Sequence, residues 1–138
     1  MRQLSDISHH KNPVMLPPTA SVKQACQIMR DHRVGAVLVA DENGQLLGIF
    51  TGRDAVNRVL AAGKSPSKTH LSEVMTEKPT TMPPHTTAIE ALRLMWDGGF
   101  RHIPVLEGGK VVGIVSRGDF KAHEHDRLEE ERGLWERI

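Results

Sequence analysis

The sequence predicts an α/β (α+β) protein made of two β-α-β-β-α units related by a pseudo-two-fold axis. Three observations predict it. Nearly the whole chain is duplicated: Gly48, Thr51 and Asp54 recur as Gly113, Ser116 and Asp119, each 65 positions on. Each copy carries a helical apolar stripe and then two short apolar runs separated by turn residues. A copy of only ~60 residues buries too little surface to stand alone, so the two are expected to pack sheet against sheet.

The elements follow in order. Leu4-Ser5-Asp6-Ile7 matches Leu71-Ser72-Glu73-Val74, and both predict a short helical turn. Pro13 matches Pro79, and Leu16-Pro17-Pro18 matches Met82-Pro83-Pro84. Prolines at this density predict an extended, edge-like segment. A helix comes next in each copy. Ser21 with Gln24, and Thr87 with Glu90, fit the capping box. Val22, Ala25, Cys26 and Met29 then fall at i, i+3, i+4 and i+7, as do Ala88, Ala91, Leu92 and Met95, which is one buried stripe on an amphipathic helix.

Apolar runs at 34–40 and 100–106 predict strands, with return strands at 46–50 and 111–115. Asp41-Glu42-Asn43-Gly44 and Glu107-Gly108-Gly109 are the turns between them. A second helix closes each unit: 55–62, with Val56, Val59 and Leu60 inward and Gly63 beyond its end, and 120–132, which is far more charged. The resulting division is a first unit 1–62, a linker 63–70 rich in Gly, Lys, Ser and Pro, a second unit 71–125 and a C-terminal helical tail 126–138. Leu128, Leu134, Trp135 and Ile138 are apolar anchors in that tail, for the body or for a second chain.

Composition narrows the function. Lys plus Arg is 18 and Asp plus Glu is 17, so no charge argument for nucleic acid or anionic membrane follows. Only 2 Trp and 3 Phe are present, too few for base-stacking platforms. No apolar run approaches the ~18 residues of a spanning helix. The start Met1-Arg2-Gln3-Leu4-Ser5-Asp6 lacks the apolar core of a signal peptide, and one cysteine cannot form an internal disulfide. The expectation is a cytoplasmic protein with no membrane and no nucleic-acid partner. Cys26 lies on an apolar stripe and reads as a small core residue. His9-His10 and His123-x-His125 lack ligand spacing, so no metal is expected.

The motif that carries chemistry is Gly-x-x-Thr/Ser-x-x-Asp, present twice, each time after a strand hairpin and before a helix. A carboxylate so placed can accept from two vicinal hydroxyls at once, as the ribose-gripping acid of dinucleotide folds does. A helix N-terminus beside it offers N–H groups to a phosphate, and an arginine offers a matching fork. The bland alternatives are that Asp54 and Asp119 are N-caps and that Thr51 and Ser116 are turn residues. Arg101 then reads as a surface charge and His102 as a strand-face residue.

With these motifs, and with Arg101-His102-Ile103-Pro104-Val105 on the strand, the chain over 4–125 resembles a tandem pair of CBS domains, a family named after cystathionine β-synthase. The resemblance implies a regulatory, Bateman-type module that binds an adenine nucleotide in clefts between paired units and often dimerises. It implies that Asp54 and Asp119 accept from ribose hydroxyls and that Thr51 and Ser116 touch ribose or phosphate. Arg101 and His102 would meet phosphates, and Ile103 and Pro104 would border the adenine. The positions matching Arg101 and His102 are Gly35 and Ala36, with Arg53 as a compensating cation from the loop, so the two sites are expected to be unequal: the Asp119 site takes a phosphorylated ligand, and the Asp54 site binds more weakly or takes a nucleoside-like moiety.

The expected function is therefore regulatory adenine-ligand sensing by a stand-alone module: AMP, ADP, ATP or NAD as ligand, no obligatory cofactor, no intrinsic catalysis. The output passes through a homodimer or an unidentified regulated protein. The alternatives are a ligand-independent dimerisation scaffold and an enzyme acting on an adenine nucleotide. Against the enzyme, the two acids sit in equivalent places in their repeats, and no Gly-x-Ser-x-Gly, His-Glu-x-x-His or Lys-bearing phosphate loop is present.

Overall fold

The computed structural model describes residues 1–8 and 12–136, with side chains as far as Gly133. His9, His10 and Ile138, and the side chains of Leu134 and Trp135, lie outside the described residues. The chain forms two compact units, Pro13–Pro79 and Met1–Asn12 with Thr80–Ile138. These do not coincide with the sequence repeats, because each repeat lends its opening segment to the unit built around the other's hairpin.

In the Pro13–Pro79 unit the strands are β1 (Met15–Leu16), β2 (Ala36–Ala40), β3 (Leu46–Thr51) and β4 (Thr76–Glu77), in that order across one sheet. β1 runs parallel to β2, and β2–β3 and β3–β4 are antiparallel. The helices of this unit are α2 (Val22–His32), α3 (Gly52–Asp54) and α4 (Leu71–Val74), with a π-helix at Ala55–Leu60. The other unit has α1 (Leu4–Ser8), α5 (Ala88–Gly98), the antiparallel hairpin β5 (His102–Glu107) and β6 (Lys110–Ser116), a 3-10 turn at Arg117–Asp119, and α6 (Ala122–Glu136). Here Met82 bridges in parallel to Val105, which reduces the counterpart of β1 to a single rung.

The N-caps of α2 and α5 form where the sequence places them. Ser21 Oγ accepts from Gln24 N at 3.1 Å, and Thr87 Oγ1 accepts from Glu90 N at 3.3 Å. Ala88, Ala91, Leu92 and Met95 are all buried, as are Val22, Ala25 and Met29, while Cys26 is half-buried. Arg33 caps α2 in the left-handed region at φ 55°, where the matching residue of α5 is Gly99. That reversal uses up Val34 and Gly35, so β2 starts at Ala36 and not at 34. Both hairpins slip register one step before the turn, at Val39/Ala40 and at Val105/Leu106.

Two expectations need correction. The helix after Asp54 is π, not α: Ala61 N donates to Val56 O at 2.8 Å and Lys64 N to Val59 O at 2.9 Å. The wider turn breaks the i, i+3, i+4 stripe. Val59 is 1% exposed, but Val56 and Leu60 stand at 55% and 65%. In the other repeat Asp119 does not open the helix. Phe120 is extended (φ −86°, ψ 145°), its ring is buried, and α6 begins at Ala122. The residues expected as linker are built in: Thr69 is buried, its carbonyl accepts from Val22 N at 2.9 Å, and Pro66 O accepts from Lys23 N at 2.9 Å.

The exchanged segments need glycine where they cross the return strands. A Cβ on Gly48 would lie 2.6 Å from Met75 Sδ and 2.8 Å from Thr76 O. A Cβ on Gly113 would lie 2.8 Å from Ser8 Cβ. The first glycine of each motif is thus a place of close approach, which only a residue without a side chain permits. Leu4 and Ile7 join the buried cluster of α5, β5 and β6, and Leu128 of α6 is buried in the same cluster.

Candidate functional site

The site of the second repeat is built by the loop after β6. Ser116 N donates to Asp119 Oδ2 at 2.7 Å, and Ser116 Oγ donates to the same oxygen at 3.1 Å. This local ring fixes the carboxylate's orientation. The loop is tied down from its middle. Arg117 Nη2 donates to the carbonyls of Met95 (3.3 Å) and Phe100 (3.2 Å), and its guanidinium lies 4.5 Å from the centre of the Trp96 ring.

The same loop reaches the preceding strand. Arg117 N donates to Arg101 O at 2.9 Å, and His102 pairs with Ser116 across the hairpin. Arg101 is exposed and His102 half-buried. The fold therefore brings Arg101, His102, Ser116 and Asp119 together at one end of the β5–β6 hairpin. Ile103 is fully buried in the core cluster, and Pro104 is buried with its carbonyl accepting from Met82 N at 3.2 Å.

The site of the first repeat has the same frame and different furniture. Thr51 N donates to Asp54 Oδ2 at 3.0 Å, and Asp54 N donates to Thr51 Oγ1 at 3.2 Å. Gly52 N donates to Gly35 O at 3.1 Å and Ala36 pairs with Thr51, which places Gly35 and Ala36 where the other site has Arg101 and His102. Both acids are thus N3 members of capping boxes, so their capping role is real. The sequence reading missed Arg58, whose Nε lies 3.6 Å from Asp54 Oδ1. Its signal was available, since an acid and a base four residues apart share a helix face. It also missed the Arg117–Trp96 stack, which joins residues 21 positions apart by no periodic rule.

Away from the motifs, a cavity of about 310 Å³ is lined by Met1, Arg2, Ile89, His123, Glu124 and Arg127. Arg2 Nη2 donates to Glu124 Oε1 at 2.6 Å, and Lys121 N donates to the same oxygen at 2.8 Å. Burial pushes the Glu124 carboxyl up, but the Arg2 and Lys121 hydrogen bonds outweigh it and hold the group below its ordinary value. A second cavity of about 390 Å³ includes Cys26, whose thiol burial pushes up. Among the described residues no three His, Cys, Asp or Glu side chains gather as a metal site, and no helix is long and apolar enough to cross a membrane.

Comparison with known proteins places these features. The CBS domain family model matches residues 4–61 and 71–126. The CBS domain-containing protein CBSCBSPB1 of Arabidopsis thaliana is 39% identical over 100 residues, covering 72% of this chain and 18% of that protein. The chain thus spans under a fifth of that relative's length. The crystal structure of the CBS-domain protein ATU1752 from Agrobacterium tumefaciens is 33% identical, with a TM-score of 0.80 over 86% of this chain and 95% of the other. The CBS domain protein PAE2072 from Pyrobaculum aerophilum, complexed with AMP, has a TM-score of 0.82 over 94% of this chain and 99% of the other; at 21% identity it speaks to the fold.

Proposed function

We propose, from the premise that this chain belongs to the CBS-domain family, that it is a regulatory module sensing an adenine-containing ligand of the AMP, ADP, ATP or NAD kind. The observation that carries the reading is the second-repeat site: a carboxylate held by Ser116, one strand pairing away from Arg101 and His102. Asp119 accepts from the ribose hydroxyls, Ser116 lies beside the ribose and phosphate, and Arg101 and His102 meet the phosphate. Ile103 and Pro104, buried beneath the site, give it an apolar floor on the side proposed for the adenine.

The Asp54 site, with Thr51, is the weaker of the two, because Gly35 and Ala36 offer no donors where the other repeat has a cation and an imidazole. AMP bound to PAE2072 supports the ligand class. No catalytic step is assigned to either acid. Binding acts by favouring one arrangement of a homodimer, or of a complex with the regulated protein, over another.

The test is the affinity for AMP of the double variant Arg101→Ala/His102→Ala. Removing charged hydrogen-bond donors costs about 1.5–3 kcal/mol, so the dissociation constant at the stronger site should rise by about tenfold or more. Adenosine, which has no phosphate, should bind the variant as it binds the natural chain. Unchanged affinity for AMP would contradict the assignment.

A further inference from the structure

The Asp54 site has a cation that the repeat pattern does not place there. Arg58 sets Nε 3.6 Å from Asp54 Oδ1, and its Nη1 donates to the carbonyls of Val74 (3.3 Å) and Met75 (3.0 Å) at the end of α4. Two carbonyl dipoles orient a guanidinium but do not cancel its charge. The Arg58 side chain is 49% exposed, and the Asp54 side chain 13%. So a charged fork is pinned next to the acid and is open to solvent. The residue matching Arg58 in the other repeat is His123, and the residues matching Arg101 and His102 in this one are Gly35 and Ala36. In one repeat the cation stands just before β5, ahead of the acid; in the other it comes from the helical turn after it.

We propose that Arg58 is a specificity residue of the Asp54 site, taking the phosphate of a ligand whose hydroxyls Asp54 accepts. The inference rests on the reading above, that the motif acids hold ribose hydroxyls, and it decides between the two ligands open to the weaker site in favour of the phosphorylated one. Pre-anchoring matters because a planar fork already held by two carbonyls loses little freedom when it meets a phosphate. Partial offset by Asp54 matters too. One shared cation attracts a phosphate less than Arg101 and His102 together, which keeps this site second in affinity while making it phosphate-selective.

The test uses the full chain carrying Asp119→Ala, so that the Asp54 site is read alone, titrated calorimetrically with AMP and with adenosine. Arg58→Gln should raise the AMP dissociation constant about tenfold or more and leave that for adenosine within about twofold. Arg58→Lys, which keeps the charge and loses the fork, should fall between. Retained adenosine binding also reports that the site is still folded, since Arg58 holds the end of α4. Equal weakening of both ligands, or no change in either, would overturn the inference. If the Asp119→Ala chain binds neither ligand while the natural chain binds AMP, Arg58 has no such role and the Asp119 site stands. If the natural chain binds no AMP, the proposed function falls and the inference with it.

Discussion

Asp119 and Asp54 each cap their own loop, accepting from Ser116 N and Thr51 N, and each is proposed to hold a ligand with the same carboxylate. An acid already oriented by a local bond loses less freedom on binding than one that swings. N-cap and ribose acceptor, the two readings the sequence left open, are compatible roles for one carboxylate: the cap is seen, and ribose binding is the proposal. The partner of Glu124 was not legible at all, because Arg2 lies 122 positions away in sequence. That pair makes a pH prediction. The Glu124 carboxyl is held below its ordinary value of 4.5, so its contribution is fully present above 4.5 and is lost as pH falls through the lower folded value. Glu124→Gln should cost about 1–3 kcal/mol at neutral pH, because it leaves the Arg2 guanidinium short of its charged acceptor. In thermal unfolding of both proteins, the gap should close as the pH is lowered below 4.5 and stay constant above it.

At the scale of elements, the amphipathic helices and hairpins were legible because their periods are local. The stripes of α2 and α5, the Ser21 and Thr87 caps and both turns depend on residues within a few positions of each other. The π-helix was not legible, since one added residue per hydrogen-bonded ring leaves no mark in composition and moves Val56 and Leu60 outward. Nor was the destination of α1. Similar residues at 4–7 and 71–74 show that two segments are alike, not what each packs against. In the fold Leu4 is fully buried with α5, β5 and β6. Leu4→Ala should therefore cost about 2–5 kcal/mol despite its place near the chain start. Amide exchange should accelerate in the hairpin His102–Ser116 and leave β2–β3 protected. Loss of protection confined to residues 1–8 would contradict this packing.

For the whole molecule, duplication supplies two frames and divergence makes them unequal. The backbone bonds Gly35 O to Gly52 N and Arg101 O to Arg117 N are the same bond in two copies. On that shared frame one repeat carries Arg101 and His102 and the other carries Arg58. With a strong and a weak site, as proposed, the module would answer a ligand over a wider concentration range than with two equal sites. With 18 basic and 17 acidic residues nearly in balance, the proposed recognition would rest on these few placed charges and not on the field of the whole chain.

Whether the Asp119 site holds an adenine ligand, as proposed, can be read from thermal unfolding. The chain would be melted alone and with AMP, ADP, ATP, NAD, NADH, S-adenosylmethionine and cyclic dinucleotides, then again as Asp54→Ala and Asp119→Ala. A ligand at a hundred times its dissociation constant stabilises by about 2.7 kcal/mol, which for a chain of this size is roughly 5–10 °C. Such a shift is expected with at least one of them, kept in Asp54→Ala and lost in Asp119→Ala. A shift lost only in Asp54→Ala would reverse the order of the sites, and no shift with any ligand would contradict the sensing function.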